Sequence, residues 1–247
     1  MLKLCSELSQ LEFLPADPYA ARITALAKTY GFGQNFVLFW VQYVDGEPVA
    51  AVSRIDGSMS ICCLEKTDFE ELAEFVKVVG FSVISCREET AEKLGFGASK
   101  ASYIVKYNGT ASPPDACVLW DYDKKAVYEL LIECGFEMGD YGAFLADYCS
   151  KLNKGTAKLA AVAGDELDAC ASALFIGDKS VLLGAVATRK TSRGKGYASK
   201  AVKALAAGFD GKSVFLFCRN DSLLEFYKKI GFEFNGRWVE CMNEGGR

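Results

Sequence analysis

The sequence predicts an α+β fold, a mixed α/β sandwich whose sheet is antiparallel at its start and parallel around a glycine-bearing loop. Three observations point there. In the C-terminal half, strand candidates at Ala157–Ala163, Ala169–Ile176 and Val181–Thr188 are separated only by turns containing Gly164-Asp165 and Gly177-Asp178, as antiparallel hairpins require. After Thr188, strands alternate with helices, as a parallel crossover requires. Third, Gly80–Phe96 (GFSVISCREETAEKLGF) parallels Gly211–Phe232 (GKSVFLFCRNDSLLEFYKKIGF), the sign of a diverged internal duplication.

Element by element, Cys117–Trp120 is a short strand. Val127, Leu130, Leu131 and Cys134 recur at helical spacing, and Tyr141, Phe144, Leu145, Tyr148 and Leu152 form a second helical stripe. Ala198, Ala201, Val202, Leu205 and Phe209 mark the helix after the glycine loop, and Val214–Cys218 is a strand. Ser222 and Glu225 are spaced as the capping box of a helix that ends at Gly231, and two final strands run through Phe234 and Trp238 to Met242. In the N-terminal half, Phe36–Val44, Val49–Ile55 and Met59–Leu64 are strands joined by Asp45-Gly46 and Asp56-Gly57 turns. A helix is expected to open at Thr67, with Glu70 closing a capping box. The stretch Asn108–Ala116 (NGTASPPDA) reads as a linker, dividing the chain into 1–112 and 113–247.

Composition excludes several classes of function. The 247 residues are 51% hydrophobic and 24% charged, the balance of a globular protein. The longest apolar runs, Phe36–Val41 and Val181–Ala187, are too short to span a bilayer, so no membrane association is expected. A net charge of −4 gives no support to nucleic-acid binding. With no export signal in the sequence, the ten cysteines, none spaced as CxxC, read as reduced thiols of a cytoplasmic protein. There is no histidine, which removes the Ser-His-Asp triad, the Cys-His pair and His-ligated zinc, and no metal is expected.

Chemistry concentrates in Thr188–Ser199 (TRKTSRGKGYAS), where an apolar strand runs into a basic loop and an Ala-rich helix follows at once. Unpaired backbone N–H groups at a helix N-terminus attract anions, and glycines let the backbone approach a phosphate closely. Taken alone, the loop fits either a pyrophosphate cradle or a solvated basic turn. It is not a Walker loop, because no GxxxxGK precedes a Ser or Thr.

A second segment narrows the choice. Arg193-x-x-Gly196-x-Ala198 matches the (Gln/Arg)-x-x-Gly-x-(Gly/Ala) motif of the GCN5-related N-acetyltransferase (GNAT) superfamily. Asn220, Tyr227 and Gly231-Phe232 match that family's Asn-x6-Tyr-x3-Gly-Phe segment. The resemblance covers roughly Cys117–Met242. It implies an acyl-CoA-dependent N-acyltransferase that uses acetyl-CoA as co-substrate and a primary amine of a small molecule or peptide as acceptor. It implies that backbone amides of Arg193, Gly194, Lys195, Gly196, Tyr197 and Ala198, with Ser199, hold the pyrophosphate. The edge of Val186, Ala187 and Thr188 would pair with the pantetheine arm and donate to the thioester oxygen. Asn220 would hydrogen-bond the pantetheine or the substrate, and Tyr227 would protonate the departing thiolate. From the residues themselves, Asn220 also suits a helix N-cap, and Tyr227 also suits a core ring. Cys218 reads as a buried thiol. The general base stays open: a water chain, or one of Asp168, Asp178, Glu137 and Asp140, each of which also reads as a turn or surface residue. Two alternatives share this resemblance: a non-catalytic acyl-CoA-binding module, and a transferase of larger acyl or aminoacyl groups.

The N-terminal half departs from the pattern. LEKTDFEE precedes its helix, acidic and without glycine, Glu88 stands at the Asn position, and the shorter helix has no matching Tyr. It resembles a degenerate GNAT-like domain without a cofactor loop, so one cofactor per chain is expected, in a monomer or homodimer.

Overall fold

The computed structural model describes residues 1–97, 101–110 and 113–243. The first half runs β1 (Leu2–Leu4), α1 (Pro18–Tyr30), β2 (Val37–Val44), β3 (Glu47–Ile55), β4 (Ser58–Cys63), α2 (Phe69–Val79), β5 (Val83–Arg87), α3 (Glu88–Leu94) and β6 (Ser102–Tyr107). The second runs β7 (Val118–Leu119), α4 (Lys124–Glu133), α5 (Tyr141–Asn153), β8 (Lys158–Ala163), β9 (Leu167–Ile176), β10 (Ser180–Thr188), α6 (Tyr197–Ala207), β11 (Ser213–Cys218), α7 (Asp221–Lys229) and β12 (Phe232–Met242). Apart from a second helix before β8, the two halves repeat one order of elements.

The hairpins follow from their turns. Asp45-Gly46 and Asp56-Gly57 both hold positive φ at the two central residues (51° and 83°, 46° and 86°), the turn whose twist matches antiparallel strands. The strands lie in one sheet, in the order β1-β2-β3-β4-β5-β12-β6-β11-β10-β9-β8-β7. Its centre is an exchange. β6, from the first half, pairs antiparallel with β11 of the second, and β12, from the second, pairs antiparallel with β5 of the first. β6 and β12 pair with each other between them. Each half thus places its last strand against the other's sheet.

α1 joins the two arms. Ala20, Ala21, Ile23, Ala25, Leu26 and Ala27 are buried, so the helix is apolar nearly all round, the pattern of a helix enclosed by protein. It packs on β2, β3 and β4 of one arm and on β9, β10 and β11 of the other. Its core includes Phe39, Val41 and Cys62 from the first half and Leu182 and Phe215 from the second.

A polar network fixes the start of α1. Asp17 caps the helix, accepting from the Tyr19 N–H at 2.8 Å. Arg87 Nε donates to Asp17 Oδ2 at 2.6 Å, while its two Nη groups donate to the Asn235 carbonyl and side chain at 3.0 and 3.2 Å. Ser180 Oγ donates to the Asp17 carbonyl at 2.8 Å, so the network reaches from α1 to β5, β12 and β10.

Several boundaries differ from the sequence reading. α1, β1 and β6 were not anticipated. α2 is capped by Asp68, which accepts from Glu71 N–H at 3.0 Å, not by Thr67. The Thr67 hydroxyl instead donates to the Val49 and Leu64 carbonyls, so it is spent on the preceding turn. α7 is likewise capped by Asn220, and Glu225 pairs with Lys228 at 2.8 Å. The two expected final strands are one, β12, with a register shift between Phe234 and Arg237 that Gly236 absorbs at φ 103°.

Arg87→Met should lower the unfolding free energy by about 3 kcal/mol, because it leaves the Asp17 carboxylate, 10% exposed, without its cation. Urea denaturation measures this. An unchanged midpoint would show that the network holds nothing together.

Candidate active site

The site begins where two strands part. β10 and β11 pair in parallel from Ser180↔Ser213 to Leu183↔Leu216, and their pairing ends there. β11 stays in the sheet through β6, up to Cys218↔Tyr103. On its other side, β10 pairs with β9 at Gly184↔Ser172 and next at Ala187↔Cys170. Ala185 and Val186 therefore stand opposite the single residue Ala171, a bulge, and Ala185 takes φ 49°. A bulge bends its strand, and this one carries the end of β10 away from β11.

The opening is a cleft of about 580 Å³. It brings together Val186, Ala187 and Thr188 of β10, Arg193, Gly194, Gly196, Tyr197, Ala198 and Ser199 of the loop and α6, and Tyr227 of α7. Lys195 and Asn220 do not line it. The Lys195 ammonium lies 6.0 Å above the Tyr197 ring. Asn220 Oδ1 accepts from the Leu223 N–H at 2.9 Å; its extended backbone folds the short side chain back onto the helix it caps. Cys134, Phe136, Ser192, Leu223 and Phe226 also line the cleft, and sequence reasoning missed them. Cys134 and Phe136 sit at the end of α4, whose helical stripe was visible but whose partner was not.

The loop is built to leave its amides open. Gly194 and Gly196 have φ 80° and 79°, and a Cβ added at either would meet nothing within 4 Å. The glycines thus serve conformation and leave space on the loop's outer side. No side chain caps α6, so the N–H groups of its first turn remain available to an incoming anion. Ser192, buried beside the loop, donates its hydroxyl to Asp168 and ties the loop to β9. Arg189 is anchored by the Leu167 carbonyl at 3.1 Å, Glu133 at 3.2 Å and Glu166 at 3.4 Å.

The corresponding helix of the first half is closed. Asp68 folds its carboxylate over the N-terminus of α2, and Gln42 clamps the same residue, accepting from its N–H at 3.1 Å and donating to its carbonyl at 2.8 Å.

Tyr227 is 4% exposed, its ring edge-on to Phe226 and Phe232 at 5.1 and 5.7 Å. Burial, with Cys218 nearby, raises its phenol well above the ordinary range, so it keeps its proton. Burial pushes the Cys218 thiol up to about 11. Neither group is anionic near neutral pH, which suits Tyr227 as a proton donor and argues against Cys218 as a nucleophile. None of the four carboxylates considered as base lines the cleft. Asp168 holds Ser192, Asp178 pairs with Lys28, Asp140 caps α5 by accepting from Ala143 N–H at 3.0 Å, and Glu137 is exposed.

Comparison with known proteins agrees with this architecture. The FR47-like protein family model matches residues 162–241, the stretch that builds the bulge, the loop and α7. An acetyltransferase of the GNAT family from Colwellia psychrerythraea aligns at TM-score 0.59 and 15% identity, over 99% of this chain and 100% of its own. A tandem GNAT protein from the clavulanic acid biosynthesis pathway aligns at TM-score 0.58 and 14% identity, over 100% of this chain and 99% of its own. A GCN5-related N-acetyltransferase from Kribbella flavida aligns at TM-score 0.57 and 14% identity, over 94% and 98%. No curated protein matches the chain in sequence. The chain has the GNAT fold, and its second half carries the FR47-like segment. Among the described residues, no helix is long and apolar enough to cross a membrane, and no cluster of His, Cys, Asp or Glu could hold a metal ion.

A test of the site's electrostatics follows from Cys218. Its folded pKa lies above the ordinary 9.0, so its contribution to stability is complete below pH 9 and is lost as pH rises through 11. Cys218→Ala should therefore make the fall in unfolding free energy between pH 9 and 11 shallower, by about 2 kcal/mol. Equal pH slopes for the two proteins would contradict the burial of the thiol.

Proposed function

We propose that this protein transfers an acetyl group from acetyl-CoA to a primary amine of a small molecule or peptide, by direct attack within a ternary complex. The observation that carries the reading is the junction of two features in one cleft: a strand edge freed by the Ala185–Val186 bulge, and a glycine-framed helix N-terminus that no side chain caps. The first suits an extended amide-bearing arm, and the second suits a pyrophosphate.

The roles follow. Amides from Gly194 to Ser199, with the α6 dipole behind them, hold the pyrophosphate, and Arg193 adds charge. The freed edge of Val186, Ala187 and Thr188 pairs with the pantetheine, and its N–H groups stabilise the charge that grows on the thioester oxygen as the amine attacks. When bound, acetyl-CoA supplies an activated acyl group. The C–N bond forms first, placing charge on the oxygen. The C–S bond then breaks as Tyr227 passes its proton to the leaving sulfur, and the proton shed by the amine nitrogen passes through water, from which Tyr227 is reprotonated. Asn220 acts chiefly by holding α7, and with it Tyr227, against the cleft. Because Asp68 occupies the corresponding helix end of the first half, we assign one cofactor to each chain.

Saturating acetyl-CoA should raise the melting temperature of the wild type, and Gly196→Glu should abolish the shift by placing a carboxylate where the pyrophosphate binds. An absent shift, or an equal one in the variant, would overturn the assignment of the cradle.

Tyr227→Phe separates enzyme from binding module. Thiol release with an amine panel should fall about 100-fold, a usual size for one proton-transfer group, while the acetyl-CoA melting shift persists. Cofactor binding without thiol release from the wild type, whatever the amine, would favour a module that only holds acyl-CoA.

A further inference from the structure

A second cavity, of about 380 Å³, lies between the two halves and shares no lining residue with the acyl cleft. Arg22 and Tyr30 of α1 line it on one side, Asp147 and Lys151 of α5 on the other, and Phe175 of β9 and Phe36 complete its apolar wall. The charges inside are unequally matched. Asp147 is already engaged twice, with Lys151 at 2.8 Å and with the Tyr30 hydroxyl. Asp56, the other carboxylate lining the cavity, is exposed.

Arg22 is different. Its guanidinium carbon lies 5.4 Å from the centre of the Phe175 ring, and Lys151 Nζ lies 5.1 Å from the same ring. Its Nε is buried and has no hydrogen-bond partner, and the one carboxylate whose charge acts on it, Glu240 of β12, does not line the cavity. A buried charged donor without an acceptor costs more than an exposed one, and a carboxylate is the acceptor whose two oxygens fit a guanidinium fork. The rest of the wall is aromatic and aliphatic. We propose that this cavity binds a small molecule bearing one carboxylate on an apolar or aromatic body, with the carboxylate on Arg22 and the body against Phe175 and Phe36. Both halves supply walls, so the first half contributes a ligand site although its own helix end is closed by Asp68.

Phenylacetate serves as the probe, with benzylamine as the cationic control, on the full-length protein. Calorimetry should show saturable phenylacetate binding to the wild type and none of benzylamine. Arg22→Met should weaken phenylacetate at least tenfold with an unchanged circular-dichroism spectrum. Should that variant misfold, wild type labelled with ¹⁵N-arginine decides. The Arg22 Nε–H resonance, identified by its loss in Arg22→Lys, should move along the same binding curve. The proposal is overturned by any of three results: no saturable phenylacetate binding, equal affinity in folded Arg22→Met, or an unmoved Arg22 resonance. It does not rest on the acyltransfer reading, since phenylacetate and acetyl-CoA binding are measured separately and each can fail alone.

Discussion

The parting of β10 from β11 after Leu183 is the constraint on which the rest depends. Two parallel strands in register would close their ladder to the end and leave no cleft. Here the bulge at Ala185–Val186 bends β10 away, and the freed end of β10 becomes an unpaired edge inside the molecule. Such an edge is a ready template for an extended amide-bearing chain. The opposite wall must stay put for the gap to persist. β11 is held there by β6, a strand that reaches it from the other half of the sequence.

The exchange of β6 and β12 therefore bears on the site as well as the fold. It makes one sheet of two similar units and sets α1 against both arms. Asp17, at the start of α1, is tied to Arg87 of β5, Asn235 of β12 and Ser180 of β10 through the shared network. Ser180 opens the strand whose far end forms the cleft. The first half and the cleft are thus joined by continuous hydrogen-bonded strands, not by a loose domain contact. The cost is kinetic: pairings such as Trp238↔Arg87 join residues far apart in sequence, and their loops close slowly.

Much of this was legible in the sequence, for local reasons. Asp-Gly turns, helical stripes and the Arg193–Ala198 loop each carry their signal within a few residues. Ten of the twelve residues singled out for cofactor binding meet in one cleft because the family spacing fixes loop and α7 together. Other features had signals that were passed over. Asp17-Pro18 is an N-cap followed by a proline at the first helical position, yet α1 is apolar nearly all round, Arg22 and Lys28 apart, and shows no clear stripe. Thr67 and Asp68 are adjacent candidates for one cap, and only the demand of the Val49 carbonyl on Thr67 decides between them. The exchange of strands and the cavity around Arg22 had no local signal, since each depends on residues brought together from both halves. The bulge lies within the second half but falls at Ala185-Val186, where no turn residue marks it.

The two helix N-termini show how little sequence separates an open anion site from a closed one. α2 and α6 occupy the same place in the order of elements, each following the third hairpin strand of its half. At α6 the preceding residues are Arg193-Gly194-Lys195-Gly196, which leave the first-turn amides uncapped and the approach positive. At α2 they are Lys66-Thr67-Asp68, with Glu70 and Glu71 in the first turn, so the helix supplies its own anion and repels another. The Asp68 carboxylate, on a residue whose backbone Gln42 clamps, caps the helix intramolecularly, and a dissolved phosphate competes with it poorly. The same substitution that closes α2 also stabilises it, because a capped helix end is worth about 1 kcal/mol. The helix end of the first half is thus filled by its own carboxylate, whereas that of the second is left open.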